Sequence, residues 1–211
     1  MRVSCIMVTG HKPERRRLAE VAIGCFNQQT WPDRELVIVN EGEPFNLPGE
    51  RLVPTGATLG ELRNLGLSNA DGDLIIQWDD DDWYHPDRIR VQAEAWKPGH
   101  AVILNHEIIC DMTSGQALVC TVGFPGSILH EAQTTARYET LRKGEDSVFA
   151  DSFRRIHLNN NPTLYIRFWH GLNTWDRKHF QSLARISRPL TEDENLQLQR
   201  ALSSYQCQKV M

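Results

Sequence analysis

Four carboxylates stand in an unbroken run at Asp79, Asp80, Asp81 and Asp82, directly after the apolar stretch LIIQW at residues 74–78. Held about 4 Å apart, each pair of like charges costs about 4 kcal/mol at an effective dielectric of about 20, so the run calls for a counter-charge. A hard divalent cation, Mg²⁺ or Mn²⁺, supplies one, because it prefers carboxylate oxygens and accepts one or two of them beside substrate phosphates and water. In an extended strand end successive side chains alternate, so Asp79 and Asp81 share one face and Asp80 and Asp82 the other. In isolation a solvated acidic loop explains the run equally well. Its place after a buried strand favours a metal–diphosphate site.

That place depends on the elements around it. Residues 3–9 (VSCIMVT) and 36–39 (LVIV) are apolar runs that end at turn residues, and with residues 74–78 they read as buried strands. Between the first two, Leu18, Val21, Ala22, Cys25 and Phe26 recur at helical spacing over residues 13–29; Pro13 suits the first turn and Trp31-Pro32 the stop. A weak strand is expected at residues 51–53. Thr58 and Glu61 have capping-box spacing and open a helix to about Asn69. Strand alternating with helix predicts a parallel sheet flanked by helices, which binds ligands beyond the carboxyl ends of its strands. Residues 9–12, 40–42 and 79–82 should therefore open on one crevice. Further along, the patterns predict a helix over 86–96, strands over 101–110 and 116–122 around Ser114-Gly115, a helix over 147–156, a strand over 163–169 and a polar amphipathic helix over 191–205.

Composition narrows the classes. The chain of 211 residues carries 23 basic and 27 acidic side chains, a net charge of -4, which disfavours nucleic acid as the main partner. No apolar stretch is long enough to span a bilayer and the start does not resemble a signal peptide, so a soluble cytoplasmic protein is expected. Five cysteines, odd in number and without a CxxC pair, read as reduced thiols. Cys5 and Cys25 lie on apolar faces as small core residues. Cys110 and Cys120 lack the context of a nucleophile. The eight histidines form no HxxxH pattern, which leaves zinc unsupported. Arg15, Arg16 and Arg17 read as a solvated helix face with a weak attraction to anionic lipid headgroups.

The strings LVIVNEG, LGELRNLGLSNADGDLIIQWDDDDWYHPDRI and GEDSVFA, in this order and spacing, resemble family 2 glycosyltransferases of the GT-A fold over residues 3–175. Residues 63–88 are the most specific part. The resemblance implies a Rossmann-like, mostly parallel central sheet flanked by helices with a small mixed β region on the acceptor side. It divides the chain into a glycosyltransferase domain at 1–175 (nucleotide-sugar half 1–100, acceptor half 101–175) and a C-terminal helical tail at 176–211. It implies metal-dependent, inverting sugar transfer from a nucleoside-diphosphate sugar to a hydroxyl, in bacterial-type surface glycan or glycoconjugate synthesis. A UDP-sugar is the first donor to expect. The acceptor is a sugar or lipid-linked group met at the inner face of the membrane, with room for a peripheral membrane contact and a homodimer.

Residue by residue, the resemblance assigns Thr9, His11, Asn40, Glu41, Arg63, Asp79 and Asp80 to the nucleotide. The turn Thr9-Gly10-His11 lacks the family's usual Tyr, and Asn40-Glu41-Gly42 replaces Asp-Asp-Gly. Asn donates as well as accepts, so the base is not fixed as uracil. Asp81, with Asp79, is assigned to the metal, and His170 of the HGLNT turn to the metal or the departing diphosphate. Glu145 and Asp146 form the acidic pair of the catalytic base; they point about 100° apart on a helix, and Asp146 is the one expected to face the acceptor. First-turn acids favoured by the helix dipole are the plainer account of that pair. Trp83 is either a platform for the acceptor sugar or a core anchor. His85 reads as a helix-entry residue. Two other functions fit parts of the sequence: a non-catalytic nucleotide-sugar-binding partner subunit, and a phosphohydrolase using an Asp of the cluster as nucleophile.

Overall fold

The computed structural model describes residues 1–207, with side chains up to Tyr205. The reduced state expected of Cys207 lies outside the described side chains; Cys5, Cys25, Cys110 and Cys120 are free and buried. The first half follows the predicted alternation: β1 (Val3–Thr9), α1 (Pro13–Asn27), β2 (Arg34–Asn40), β3 (Glu50–Leu52), α2 (Leu59–Ser68) and β4 (Leu74–Gln77). β1 pairs in parallel with both β2 and β4, and β2 with β3. Strands covered on both faces need apolar residues on both, hence the unbroken apolar runs. Alternate residues part accordingly. Cys5, Met7, Ile38 and Ile76 join the main core with Ala22 of α1, whereas Ile6, Val37 and Ile75 meet Leu67 of α2 on the other face. Thr58 caps α2 through a complete capping box with Glu61.

Beyond β4 three expected elements are altered and three new ones are added. The predicted strand over 101–110 is two: β6 (His100–Leu104) and β7 (Glu107–Asp111) belong to different sheets and are separated by Asn105-His106. The helix expected over 147–156 ends early, as α4 (Glu145–Ala150), and residues 154–158 form β10 (Arg154–Leu158), parallel to β6. The strand expected over 163–169 begins as a 3-10 turn at Pro162–Leu164 and continues as β11 (Tyr165–Trp169). Three elements were not anticipated: β5 (Trp83–Tyr84), β9 (Leu129–Glu131) and α5 (Arg177–Ala184). The remaining elements, α3 (Arg88–Ala95), β8 (Ala117–Cys120) and α6 (Glu192–Cys207), lie close to their predicted positions.

The result is a seven-stranded sheet, β10-β6-β9-β4-β1-β2-β3, in which β9 is the antiparallel member, beside a four-stranded mixed sheet, β5-β11-β7-β8. This is the mostly parallel, helix-flanked architecture expected, with a smaller mixed sheet next to it. The carboxyl ends of β1, β2 and β4 share one edge, and the acidic run follows β4 there.

Candidate active site

The end of β4 is fixed from below. Arg88, fully buried at the start of α3, donates from Nη2 to the Gln77 carbonyl at 2.8 Å. Its guanidinium lies 4.4 to 5.0 Å from the ring centres of Tyr84, Tyr165 and Trp78. Trp78 in turn donates from Nε1 to the Ala22 carbonyl at 3.0 Å. The HPDR string thus supplies the cation that pins the strand carrying the acids.

The four carboxylates then separate by partner, because the chain turns at Asp80-Asp81 and the alternation expected of an extended end does not continue. Asp79 accepts from Arg63 Nη2 at 2.8 Å through Oδ1 and from the Tyr165 hydroxyl at 3.2 Å through Oδ2. Asp80, 2% exposed, is gripped by both Nε and Nη2 of Arg15. Asp81 Oδ2 lies 3.3 Å from Arg15 Nη1, 3.1 Å from His170 Nε2 and 3.3 Å from Asn173 Nδ2. Asp82 accepts from the Tyr165 hydroxyl at 2.7 Å and the Phe168 amide at 3.0 Å. Burial raises the carboxyl of Asp81, but the Arg15 charge and the hydrogen bond from His170 outweigh it and hold Asp81 below the usual carboxylate range. Burial beside Asp81 and Asp79 pushes Asp82 well above that range, so Asp82 serves as an anchor to β11.

Arg63 links the two acidic groups. While Nη2 holds Asp79, its Nε donates to Glu145 Oε1 at 2.9 Å, and Glu145 is 2% exposed. Burial raises the Glu145 carboxyl and the guanidinium opposes that rise. Asp146, one residue on, lines the open cleft with Asp79, Asp81, Gly126, Lys143, Arg167 and Trp175. Its Oδ1 accepts from the Ser147 amide at 2.8 Å.

The structure gathers Arg63, Asp79, Asp80, Asp81, Glu145 and Asp146 around one cleft, with His170 against Asp81. Other residues of the predicted set lie elsewhere or are otherwise occupied. Trp83 is 8% exposed in the main core, where β5 pairs with β11; it is the core anchor and not a platform. Asn40 donates to the Glu43 carbonyl at 2.9 Å and Glu50 Oε1 at 2.7 Å, and accepts from Gly42 N at 2.7 Å. Glu41 accepts from Gly56 N at 3.1 Å. These bonds tie Asn40 into the loop after β2 and Glu41 to the turn after β3. Thr9 is 2% exposed with its hydroxyl unpaired at the end of β1, and His11 is exposed in the turn that follows. His170 Nδ1 accepts from the Leu172 amide at 3.2 Å, which leaves the ring proton on Nε2, directed at Asp81. In this tautomer His170 donates to the acid.

The residue most clearly missed is Arg15. It is not a solvated cation: it bridges Asp80, Asp81 and the Leu172 carbonyl. The available signal was its position in the first turn of a helix that starts at the carboxyl edge of the sheet. Lys143, Arg167 and Trp175 also line the cleft, and the Lys143 ammonium lies 5.1 Å from the Trp175 ring centre. Nothing in their local sequence marked them.

Residues 54–121 match the family model described as Glycosyl transferase family 2, a segment that holds the whole 63–88 string. No curated protein sequence matches significantly. Among solved structures, Staphylococcus aureus TarS 1-349 in complex with UDP superposes with a TM-score of 0.59 at 14% identity, over 88% of this chain and 64% of that one. The same protein in complex with UDP-GlcNAc gives 0.59 and 14% over 97% of this chain and 72% of that one. The mannosyltransferase PcManGT from Pyrobaculum calidifontis, in complex with GDP-Man and Mn²⁺, gives 0.58 and 14% over 86% of this chain and 59% of that one. The chain thus spans less than two thirds of the first TarS chain and of the mannosyltransferase. The fold is the one these GT-A glycosyltransferases share.

Proposed function

We propose that this chain, whose residues 54–121 carry the family 2 glycosyl transferase match, moves a sugar from a nucleoside-diphosphate donor to a hydroxyl acceptor with inversion at the anomeric carbon. The observation that carries this reading is the asymmetry of the acidic pair: Arg63 neutralises buried Glu145, and Asp146 stays open to the cleft. In a single displacement the acceptor oxygen attacks the anomeric carbon from the side opposite the diphosphate. The bond from that carbon to the diphosphate oxygen breaks and its electron pair leaves with the diphosphate. The hydroxyl proton passes to Asp146, for which placement in the transition state is the requirement. Arg15, Arg63, Arg167 and Lys143 all border the cleft and offset charge on the departing diphosphate.

Asp79 and Asp81 border the cleft, and such an oxygen pair suits Mg²⁺ or Mn²⁺ when phosphate oxygens and water complete the shell. Among the described residues no three His, Cys, Asp or Glu side chains are placed to hold an ion between them, so a diphosphate has to supply the rest. Asp81 and Asp79 are the residues that would hold the ion, and its chemistry when bound is to neutralise the leaving group. His170 orients Asp81 through its Nε2 proton. The UDP-sugar is the first donor to try. The acceptor is read as a sugar or lipid-linked hydroxyl at a membrane face in surface glycan synthesis; no helix among the described residues is long and apolar enough to cross a membrane.

Thermal stabilisation by UDP and by GDP, each with and without Mn²⁺, tests the donor site; a ligand at about 100 times its dissociation constant adds about 2.7 kcal/mol. Asp146→Asn is expected to lower transfer by at least about a hundredfold with nucleotide affinity unchanged. Equal losses of rate and affinity would remove Asp146 from the role of base.

A further inference from the structure

One buried acid lies outside the cleft yet reaches it through a cation. Glu107 opens β7 and is fully buried, and two residues on, Ile109 pairs in register with Arg167 of β11. Alternation along a strand sets Glu107, Ile109 and Arg167 on one face of the mixed sheet. That face packs with Phe124 and Phe180, while Ile108, Ile166 and Phe168 turn to the main core. Arg167 Nη2 lies 3.0 Å from Glu107 Oε1 and 3.3 Å from Oε2. The guanidinium carbon stands 3.9 Å from the Phe124 ring centre. The cation is thus held at one end by a carboxylate and across its plane by a ring.

The three arginines at the cleft differ in what their nitrogens already hold. Arg15 spends all three on Asp80, Asp81 and the Leu172 carbonyl, and Arg63 spends two on Asp79 and Glu145. Arg167 spends one, on Glu107; among the described residues its Nε and Nη1 have no hydrogen-bond partner. Its side chain is 25% exposed and borders the cleft. Free N–H groups of a guanidinium suit phosphate oxygens. Arg167 also has rival partners. Burial disfavours its charge, and the Glu107 carboxylate restores it ahead of the acids of the run, which lie within electrostatic reach. A buried ion pair is a weak source of stability, so what Glu107 provides is placement.

We propose that Glu107 is a positioning residue for the donor's diphosphate: by holding Nη2 of Arg167 it keeps this guanidinium from collapsing onto the acidic run and presents the remaining N–H groups to phosphate oxygens. This rests on the donor reading of the cleft. Glu107 itself touches no substrate and acts through Arg167.

Burial pushes the Glu107 carboxyl up to about 8 against the pull of Arg167, so the test is set at about pH 8.5, where the carboxyl is mostly ionised. UDP and GDP are titrated calorimetrically, with Mg²⁺ present, into wild type, Glu107→Gln, Arg167→Met and the double variant, and thermal midpoints verify folding. Arg167→Met is expected to bind the nucleotide about tenfold or more weakly, and Glu107→Gln about fivefold or more weakly. In the Arg167→Met background the Glu107→Gln change is expected to alter affinity by less than about twofold, because Glu107 then has nothing to place. A simple charge effect has the opposite sign, since removing an anion beside the cleft tightens a diphosphate. Tighter or unchanged binding by Glu107→Gln, or the same loss in both backgrounds, would overturn the proposal. Should Glu107→Gln not fold, Arg167→Lys decides: it keeps the charge and the pair with Glu107 but lacks the further N–H groups. A loss of about fivefold is expected there, and binding as tight as wild type overturns the proposal. If neither UDP nor GDP binds wild type under any condition, the donor reading itself is refuted; if wild type binds and the two changes add, the role of Glu107 alone fails.

Discussion

Arg15 shows how much a single side chain can decide. Its guanidinium holds Asp80 through two nitrogens and reaches Asp81 and the Leu172 carbonyl, so one cation serves two carboxylates and a turn. Removing one partner of a buried pair leaves an uncompensated charge and typically costs about 3–5 kcal/mol. Arg15→Ala is therefore expected to lower the free energy of unfolding in urea by that order. Combining Arg15→Met with Asp80→Asn should recover the part of the loss that belongs to Asp80, while Asp81 still lacks its cation. A single variant as stable as wild type would show the pair to be solvated. The sequence shows the acids plainly but not this partner, because a run of three arginines on a helix looks the same whether its first member faces water or a crevice. The same holds for Trp83, whose apolar ring next to the cluster suits a platform and a core anchor alike until its strand partners are seen.

Among the elements, α6 depends on its first turn. Glu194 accepts from Arg188 at 2.8 and 2.7 Å and from the Thr191 amide at 2.8 Å. These bonds, those from Arg188 foremost, lower its carboxyl from the ordinary 4.5 to about 2. A depressed acid stabilises the fold above its unfolded value, and the contribution is lost as the pH falls through the folded value, here between 4.5 and about 2. Glu194→Gln should therefore be less stable than wild type near about pH 7, with the gap closing towards about pH 2; a gap of constant size across that range would contradict the assignment. Elements with strong local signals were legible: the apolar runs of β1, β2 and β4, and the capping box of α2. β5 and β9, of two and three residues, are too short to show a period. The break at Asn105-His106 interrupts an otherwise continuous apolar pattern, and the fork of the chain into two sheets decides it. β10, RRIHL, is a mostly exposed edge strand whose local pattern continues that of the helix before it.

Across the whole molecule, the C-terminal segment is built into the core. Leu198, Ala201 and Tyr205 of α6 belong to the same apolar cluster as Cys5, Met7 and Ile76 of the central strands. Leu198 is 3% exposed, and truncating such a side chain to alanine costs about 2–5 kcal/mol. Leu198→Ala is expected to show a loss of that size in urea unfolding, as one cooperative transition. A separate early transition would indicate that α6 unfolds independently. The sequence alone sets residues 176–211 apart as a tail because the family resemblance ends near 175 and the helix looks polar. Its three core contacts fall on one narrow stripe, too few to stand out among the charges.

Tyr205 donates its hydroxyl to the Asp81 carbonyl at 3.3 Å, across 124 positions, and Arg15 reaches Leu172 across 157. Contacts so distant in sequence are slow to form, since the entropy of closing long loops is paid before they contribute. During synthesis, the acidic turn is made early but waits for residues near the far end of the chain before its surroundings are complete. Until Tyr205 has emerged, the nascent chain holds its four acids without their full set of neighbours, and the acidic turn is completed late in folding.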